Sequence, residues 1–280
     1  MQVTFSELDW RGLSGPLWKG FAPPVGGKFQ STASGNPAFG FFDDFLDYHG
    51  TSLYDGYFTL GTGTGTVLRT ASNYDSSTAA QKLATYLGVV NMLATADNDE
   101  GIIAWGNGLD APFKLDHSVG YGDLVFECRV LFDILLAADF CFFIGLAELG
   151  AQATTKIFDG DQALDVTLDR VGFTHLLADS TAVNSHYYVG GSTAGGTAAV
   201  HTNVASQAVK LGFRWKSLAN TLHFYVNGTE ATAHRVNGKT VTSGTFPDDN
   251  YMTPMAMIGT DQATDMTAKL DWWACAQYLI

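Results

Sequence analysis

The chain has 280 residues, of which 46% are hydrophobic and 15% are charged, and its formal net charge is −13. This length is sufficient for one large β-sandwich domain, and the low charged fraction excludes a coiled coil or a long helical bundle. The excess of acidic residues predicts that neither nucleic acid nor an anionic membrane is a partner, because both carry the same sign of charge.

Residues 1–38 are predicted to form an extended arm, because four of the seven prolines and many glycines lie there. The arm is too apolar for a solvated linker. Two alternatives remain open: the arm packs over its own sandwich, or it docks on a neighbouring subunit or partner. In the second case we expect the hydrophobic contacts to be Trp10, Leu13, Trp18 and Phe21.

Residues 39–280 are predicted to form a single β-sandwich domain made of many short strands. The strands of this domain are expected at residues 39–45, 55–60, 87–95, 102–105, 113–115, 123–132, 140–146, 163–173, 185–189, 198–203, 252–259 and 267–279. The residues before 87–95 also show helical spacing, so a short helical turn is expected there.

Three of these strands carry informative apolar patterns. Residues 123–132 alternate, which predicts that Glu127 and Arg129 face outward while the apolar residues between them face inward. Residues 140–146 are apolar at every position, which predicts a central strand covered on both faces. In the last strand, one side is expected to carry Leu270, Trp272, Ala274 and Ala276.

Residues 209–236 are predicted to form a three-stranded meander. Apolar and polar side chains alternate through 209–215 and again through 221–226, and Asn227-Gly228 follows, a pair typical of a type I′ hairpin turn. Two linked hairpins with one apolar face require a second sheet to cover that face. The predicted fold class is therefore all-β, a two-sheet antiparallel β-sandwich with an extended N-terminal arm.

The three cysteines are far apart in sequence, so we expect buried thiols rather than disulfides or a zinc site. The first residues lack the pattern of a signal peptide, and no run of 18 apolar residues occurs, so no membrane span is expected. We therefore expect the protein to fold in a reducing cytoplasm.

Enzyme motifs are incomplete throughout the chain, and no catalytic residues are predicted. Sandwich β-glucanases share a Glu-x-Asp-x-x-Glu strand motif, but here Glu7-Leu8-Asp9 has Gly12 at the position of the second Glu. Residues 190–194 lack the last glycine of the Gly-x-Ser-x-Gly elbow, and the histidines show no metal-binding spacing.

Two acidic loops offer oxygen ligands for a cation, one with Asp97 and Asp99 and the other with Asp159 and Asp161. Neither loop matches the twelve-residue EF-hand pattern. Two alternatives remain for each loop, a solvated acidic turn or a structural calcium site. No other cofactor is expected.

Several short segments together carry a resemblance: FFDDF (41–45), LGVV (87–90) with Asp97-Asn98-Asp99, Phe126-Glu127, LGFRW (211–215), FYVNG (224–228) and FPDDNYMTP (246–254). The resemblance is to concanavalin A-like sandwich proteins of tailed-phage virions. It implies a lectin-like jelly roll that serves as a non-enzymatic virion component, most often a capsid decoration or cement protein.

The same resemblance implies partners and location. The expected partners are the major capsid protein and further copies of this chain, with a trimer as the expected oligomer, and the expected location is the virion, assembled in the host cytoplasm.

The alternative function is a carbohydrate-binding module of a tail fibre or host-recognition device. Sugar rings would then stack on Trp105, Tyr187, Tyr188 or Trp273, with Asp and Asn side chains of the loops bonding the hydroxyls.

Overall fold

The computed structural model of the protein describes residues 13–19, 21–25, 28–31, 38–43, 57–60, 90–94, 99–105, 111–116, 120–132, 140–148, 158, 164–179, 181–191, 195–204, 207–237, 246–248, 250–260 and 266–279. In several strands the backbone alone is described. The strands in these ranges are, in chain order, β1 (Phe21–Val25), β2 (Lys28–Ser31), β3 (Ala38–Asp43), β4 (Tyr57–Leu60), β5 (Val90–Ala94), β6 (Asp99–Trp105), β7 (Tyr121–Phe132), β8 (Phe140–Glu148), β9 (Arg170–His175), β10 (Ala182–Tyr188), β11 (Gly195–Thr202), β12 (Ala208–Lys216), β13 (Thr221–Val226), β14 (Thr229–Glu230), β15 (Val236–Asn237), β16 (Met252–Thr260) and β17 (Met266–Leu279). Within the same ranges, no helix has the length and apolarity needed to cross a membrane.

Two antiparallel sheets form the body of the protein. One has seven strands in the order β11-β10-β9-β8-β16-β6-β4. The other has eight, ordered β14-β13-β12-β7-β17-β3, with β15 beside β13 and β5 beside β17. Strands β1 and β2 form a separate two-stranded sheet. A single large hydrophobic cluster contains side chains from both sheets, which confirms the prediction of an all-β, two-sheet antiparallel sandwich.

The predicted meander is present, but its third strand is broken. Strands β12 and β13 pair in register, and both residues of the turn that follows have positive φ, 50° at Asn227 and 79° at Gly228, as a type I′ turn requires. Only two residues then continue as β14. A short 3₁₀ turn at Thr232–His234 interrupts the pairing with β13 before β15 resumes it.

Strand β8 is buried along all but its last residue, which confirms the prediction of a central strand covered on both faces. Its inward aromatic residues pack on β7, where the rings of Phe132 and Phe142 stack with centroids 4.4 Å apart. Across the core, Phe173 meets Phe224 edge to face at 5.6 Å. Stacked and edge-to-face rings of this kind add to the free energy gained from burying their area.

Three of the four residues predicted to share one face of the last strand do so, but Leu270 does not, because β17 contains a bulge. The register between β17 and β7 shifts between Leu270 and Trp272, so one extra residue reverses the alternation. Leu270 and Trp273 therefore both point into the main core. Trp272, Ala274 and Ala276 point to the outer face of the eight-stranded sheet instead.

Two other predicted strands are shorter than expected. Strand β9 begins only at Arg170, because the Asp165 side chain accepts the backbone N–H of Thr167 at 2.6 Å and favours a turn there. Residues 113–115 contribute one isolated bridge, between Phe113 and Met252. The helical turn expected before residue 87 lies outside the described residues.

The N-terminal segment, here residues 13–19 together with Phe21, packs on the outer face of the eight-stranded sheet of its own chain. The segment's buried side chains, together with their sheet partners, are Leu13, Leu17, Trp18, Phe21, Val125, Tyr225, Trp272, Ala274 and Ala276. This is the first of the two alternatives for the arm. Because Leu13, Trp18 and Phe21 are covered in this way, they are not available as partner contacts, and Trp10 lies outside the described residues.

Glu127 points outward as predicted, yet only 1% of its surface is exposed because the N-terminal segment covers it. Its Oε2 accepts the backbone N–H of Ser14 at 2.9 Å and the indole N–H of Trp18 at 2.7 Å. Burial raises the pKa of Glu127 above its usual value, although these hydrogen bonds oppose the shift. The carboxyl group therefore anchors the segment on the sheet.

Strand β12 anchors the same segment from its outer face. The Arg214 guanidinium donates to the backbone oxygens of Leu17 at 3.2 Å and Lys19 at 2.6 Å, and it also pairs with Asp123 at 2.9 Å. A Cβ atom at Gly212 would approach Leu17 Cδ2 to 2.4 Å, so the absence of a side chain leaves room for the leucine.

We expect Glu127→Gln to change the pH dependence of stability. A carboxyl with a raised folded pKa contributes most below its usual pKa of 4.5, and that contribution is lost as the pH rises through the folded value. Glutamine does not titrate, so the free energy of unfolding of the variant, relative to wild type, should increase from pH 4 to pH 8. Urea unfolding of both proteins at several pH values measures this difference in the free energy of unfolding. A difference that does not change with pH would contradict burial of Glu127 under the segment.

Candidate functional site

The structure corrects one of the predicted sugar-stacking residues. Trp273 has no exposed surface and meets Phe41 edge to face at 5.7 Å inside the main core. The bulge in β17 turns it inward, so its ring cannot reach a sugar. The backbone of Trp105 ends β6, but its side chain lies outside the described residues.

Tyr187 and Tyr188 do not form one platform, because neighbouring residues of a strand point to opposite faces. Tyr187 packs against the main core, with its ring centroid 5.7 Å from that of Phe246. Tyr188 points to the outer face of the seven-stranded sheet, where the Arg170 guanidinium lies 4.4 Å from its ring centroid.

A buried Arg–His pair lies beside Tyr188. The Nε of Arg170 donates to His186 Nε2 at 2.9 Å, and its Nη1 donates to the backbone oxygens of Leu168 and Asp165. Burial lowers the pKa of Arg170 to about 10, and burial together with Arg170 lowers the pKa of His186 to about 3. At neutral pH the arginine is charged and the histidine is a neutral acceptor. The pair attaches the segment before β9 to strand β10.

The middle of the outer face of the seven-stranded sheet is apolar and buried. The side chains that form this cluster are Ile102, Ala104, Cys141, Phe143, Ala147, Phe158, Leu168, Met255 and Met257. Such a surface offers no hydroxyl, amide or carboxylate to bond a saccharide. The central strands of this face are therefore a poor candidate for a polysaccharide cleft.

The possible cation sites in the two acidic loops remain a prediction. The side chains of Asp97, Asp99, Asp159 and Asp161 lie outside the described residues. In the part of the chain that is described, no group of three or more His, Cys, Asp or Glu residues could hold a metal ion.

The best candidate site is a pair of tyrosines at one end of the sandwich. Tyr121 is the first residue of β7, and Tyr251 immediately precedes β16, so the pair connects the ends of the two sheets. Their rings meet edge to face with centroids 5.9 Å apart, and their hydroxyls are 3.1 Å apart. Tyr251 is 49% exposed, and Leu279, which pairs with Tyr121, is 38% exposed.

An ion pair borders this exposed ring. Lys114 Nζ lies 5.5 Å from the ring centroid of Tyr251 and 3.2 Å from Asp116 Oδ2. An aromatic ring beside charged donors and acceptors is the usual composition of a saccharide site, because the ring packs on the C–H face of a sugar and the polar groups bond its hydroxyls. We call the site formed by Lys114, Asp116, Tyr121 and Tyr251 the tyrosine corner; the name denotes these four residues and not the Greek-key motif that shares it.

Partly buried hydrogen bonds to the backbone hold the corner in place. The bridge between Phe113 and Met252 brings Lys114 beside Tyr251. The buried side chain of Gln277 accepts the backbone N–H of Lys114 at 3.0 Å and donates to its carbonyl oxygen. The indole of Trp215 donates to the backbone oxygen of Asp116 at 3.1 Å. A site held in this way loses little conformational entropy when a ligand binds.

The hydroxyl of Tyr121 stays protonated over the physiological pH range. Its hydrogen bond with Tyr251 and partial burial raise its pKa to about 12, and the nearby charge of Asp116 adds to the shift. The corner therefore presents the neutral phenol of Tyr121 at neutral pH, which can both donate and accept a hydrogen bond.

Sequence reasoning missed the tyrosine corner. A usable signal was present, since Asp248-Asp249-Asn250 directly precede Tyr251 and combine loop carboxylates and an amide with an aromatic ring. The proximity of Tyr121 to Tyr251 has no such signal, because 130 positions separate them.

No protein-family model matches the chain, and no curated protein matches it. Solved structures do match. The endo-1,3-beta-glucanase of Streptomyces sioyaensis is similar with a TM-score of 0.55 and 14% identity, over 91% of this chain and 98% of the glucanase.

Two further solved structures are similar over 84% of this chain. One comes from work on endo-acting O-glycanases of human gut bacteria that initiate mucin breakdown, with a TM-score of 0.53, 11% identity and 97% of its own length covered. The other is a glycoside hydrolase family protein of Mycobacterium thermorestibile, with a TM-score of 0.52, 13% identity and 99% of its own length covered. At these identities the likeness concerns the fold, and the predicted concanavalin A-like jelly roll is confirmed.

Proposed function

We propose that the protein binds carbohydrate without cleaving it and that the tyrosine corner is its binding site. The observation that carries the proposal is the half-exposed ring of Tyr251, bordered by a Lys–Asp ion pair and a second tyrosine hydroxyl. Proteins that share the fold include, by their names, a glucanase and O-glycanases, so this scaffold is compatible with saccharide ligands.

Binding without cleavage is favoured by one pair of acids in the described part of the chain, because both of them hold backbone groups. Glu148 and Asp169 lie at adjoining strand ends, but Glu148 Oε2 accepts the backbone N–H of Asp169 at 3.2 Å, and Asp169 Oδ1 accepts that of Gly190 at 2.7 Å. A retaining glycosidase needs two carboxyl groups about 5 Å apart and facing the substrate. These bonds favour a structural role for both acids.

A hydroxyl–imidazole–carboxylate chain that connects β13 and β14 also lacks the features of a hydrolase. Thr221 Oγ1 lies 2.9 Å from His223 Nε2, and His223 Nδ1 lies 2.8 Å from Glu230 Oε1. Arg235 donates two N–H groups to the same carboxylate oxygen, and His223 is only 4% exposed. A neutralised carboxylate and a covered imidazole are poorly suited to activating a nucleophile.

We expect Tyr251→Ala to weaken saccharide binding about five-fold or more, because stacking on an aromatic ring contributes about 1 kcal/mol beyond the area it buries. A glycan array finds the ligand, and calorimetry with the best glycan measures the change. The matched control is Tyr188→Ala, which removes the tyrosine predicted from sequence and should leave binding unchanged. Equal losses in both variants, or a loss only in Tyr188→Ala, would contradict the assignment of the site.

We also propose, as a second candidate, a structural role on a tailed-phage virion as a decoration protein that contacts the major capsid protein and copies of itself. The order of the short segments that resemble such proteins favours this role. Because Leu13, Trp18 and Phe21 are buried on their own sheet, the contact would not involve these three side chains. Co-sedimentation with purified phage heads tests this candidate, and a protein that stays in the supernatant would count against it.

A further inference from the structure

We infer that the tyrosine corner selects neutral saccharides and rejects acidic ones such as sialylated or uronate glycans. The inference rests on the proposed carbohydrate binding and adds the chemical class of the ligand. It follows from the balance of charge at the corner and from the charge of the rest of the chain.

The two charged groups of the corner neutralise each other. Lys114 Nζ is 3.2 Å from Asp116 Oδ2, and the two side chains are only 17% and 14% exposed. At this distance the lysine already has its counter-ion, so an incoming carboxylate would have to displace Asp116 or share the ammonium with it. Neighbouring hydroxyls of a neutral sugar can instead accept a hydrogen bond from the ammonium and donate one to the carboxylate.

The other two side chains of the corner are the tyrosines. The hydroxyls of Tyr121 and Tyr251 are bonded to each other, 3.1 Å apart, and offer lone pairs and a proton to a hydroxylated ligand. The exposed part of the Tyr251 ring offers apolar area to the C–H face of a sugar ring. Both kinds of contact are available to neutral and acidic sugars, so discrimination depends on the Lys114–Asp116 pair and on the field around it.

The field of the whole chain opposes acidic ligands. The net charge is −13, and a surface of that sign repels carboxylates and sulfates at distances up to a Debye length, about 8 Å at physiological salt. Since Lys114 is paired with Asp116, it does not compensate for this repulsion. An acidic sugar would therefore meet a site without a free cation on an acidic surface.

The test compares two variants that each remove one negative charge. Asp116→Asn releases Lys114 from its counter-ion at the corner. Asp271→Asn is the matched control, since Asp271 pairs with Arg129 on the outer face of the eight-stranded sheet. A glycan array that presents each glycan with and without a terminal sialic acid or uronic acid measures the ratio of neutral to acidic binding.

Wild type should bind the neutral members more tightly than the acidic members. Asp116→Asn should increase binding of the acidic members about five-fold, the effect expected of one charge at about 4 Å in water, and Asp271→Asn should leave the ratio at its wild-type value.

The outcomes separate this inference from the proposed function. If wild type binds no glycan on the array, the proposed function and this inference both fail. If it binds the acidic members as well as or better than the neutral ones, carbohydrate binding stands and the selectivity is wrong. If Asp116→Asn and Asp271→Asn shift the ratio equally, net charge rather than the ion pair sets selectivity, and the inference is overturned. Circular dichroism of both variants should match that of wild type.

Discussion

Replacing Trp18 with alanine is expected to cost more than about 3 kcal/mol of the free energy of unfolding. Trp18 is fully buried, meets Phe21 edge to face at 5.9 Å, and belongs to the cluster that covers the outer face of the eight-stranded sheet. Truncating a buried tryptophan costs about 3–5 kcal/mol through lost burial and the cavity left behind. The variant also removes one of the two N–H groups that hold the buried Glu127 carboxyl, which adds to the loss.

Guanidinium unfolding of Trp18→Ala and wild type measures this cost, and two further variants identify its origin. Trp18→Phe keeps an aromatic ring but removes the N–H donor, so it should fall between wild type and Trp18→Ala. Leu218→Ala truncates a side chain that is 92% exposed and should change stability by less than about 0.5 kcal/mol. If Trp18→Ala were as harmless as Leu218→Ala, the N-terminal segment would not be packed on its own sheet.

The parts of the fold that follow from local pattern were predictable. Strands β12 and β13 alternate strictly, and only one register places Val209, Leu211, Phe213 and Trp215 in the core, so the pattern determines which face is buried. The Asn227-Gly228 turn is equally local, since two consecutive positive φ values favour these two residue types. Neither feature depends on a distant part of the chain.

The features that were missed depend on tertiary structure. Alternation correctly turns Glu127 outward, but an outward side chain is solvated only if nothing covers that face, and the covering segment is more than 100 positions away in sequence. The bulge in β17 cannot be recognised in the sequence, because Leu270 and Trp272 look like an ordinary pair of residues on one face of a strand. The tyrosine corner requires the first residue of β7 and the residue before β16 to meet, which only the assembled sandwich achieves.

Gly145→Ala is expected to have the other large effect, a loss of at least about 3 kcal/mol or a failure to fold. Gly145 on β8 pairs with Gly172 on β9, and these backbones approach closely in the middle of the seven-stranded sheet. A Cβ atom at Gly145 would lie 2.1 Å from the backbone oxygen of Val171 and 2.6 Å from the Cα of Gly172. Both atoms belong to the backbone, so no rotamer change relieves the overlap and the two strands would have to separate.

Gly191→Ala is the matched control for this substitution. Gly191 has open space around the Cβ position but a φ of 74°, so alanine there should cost only the conformational penalty of about 1–2 kcal/mol. Soluble yield and urea unfolding of the two variants separate a steric effect from a conformational one. Equal stability would mean that β8 and β9 can move apart at little cost. A larger loss in Gly145→Ala would instead identify the close approach of these strands as a requirement for the sheet that supports Tyr251.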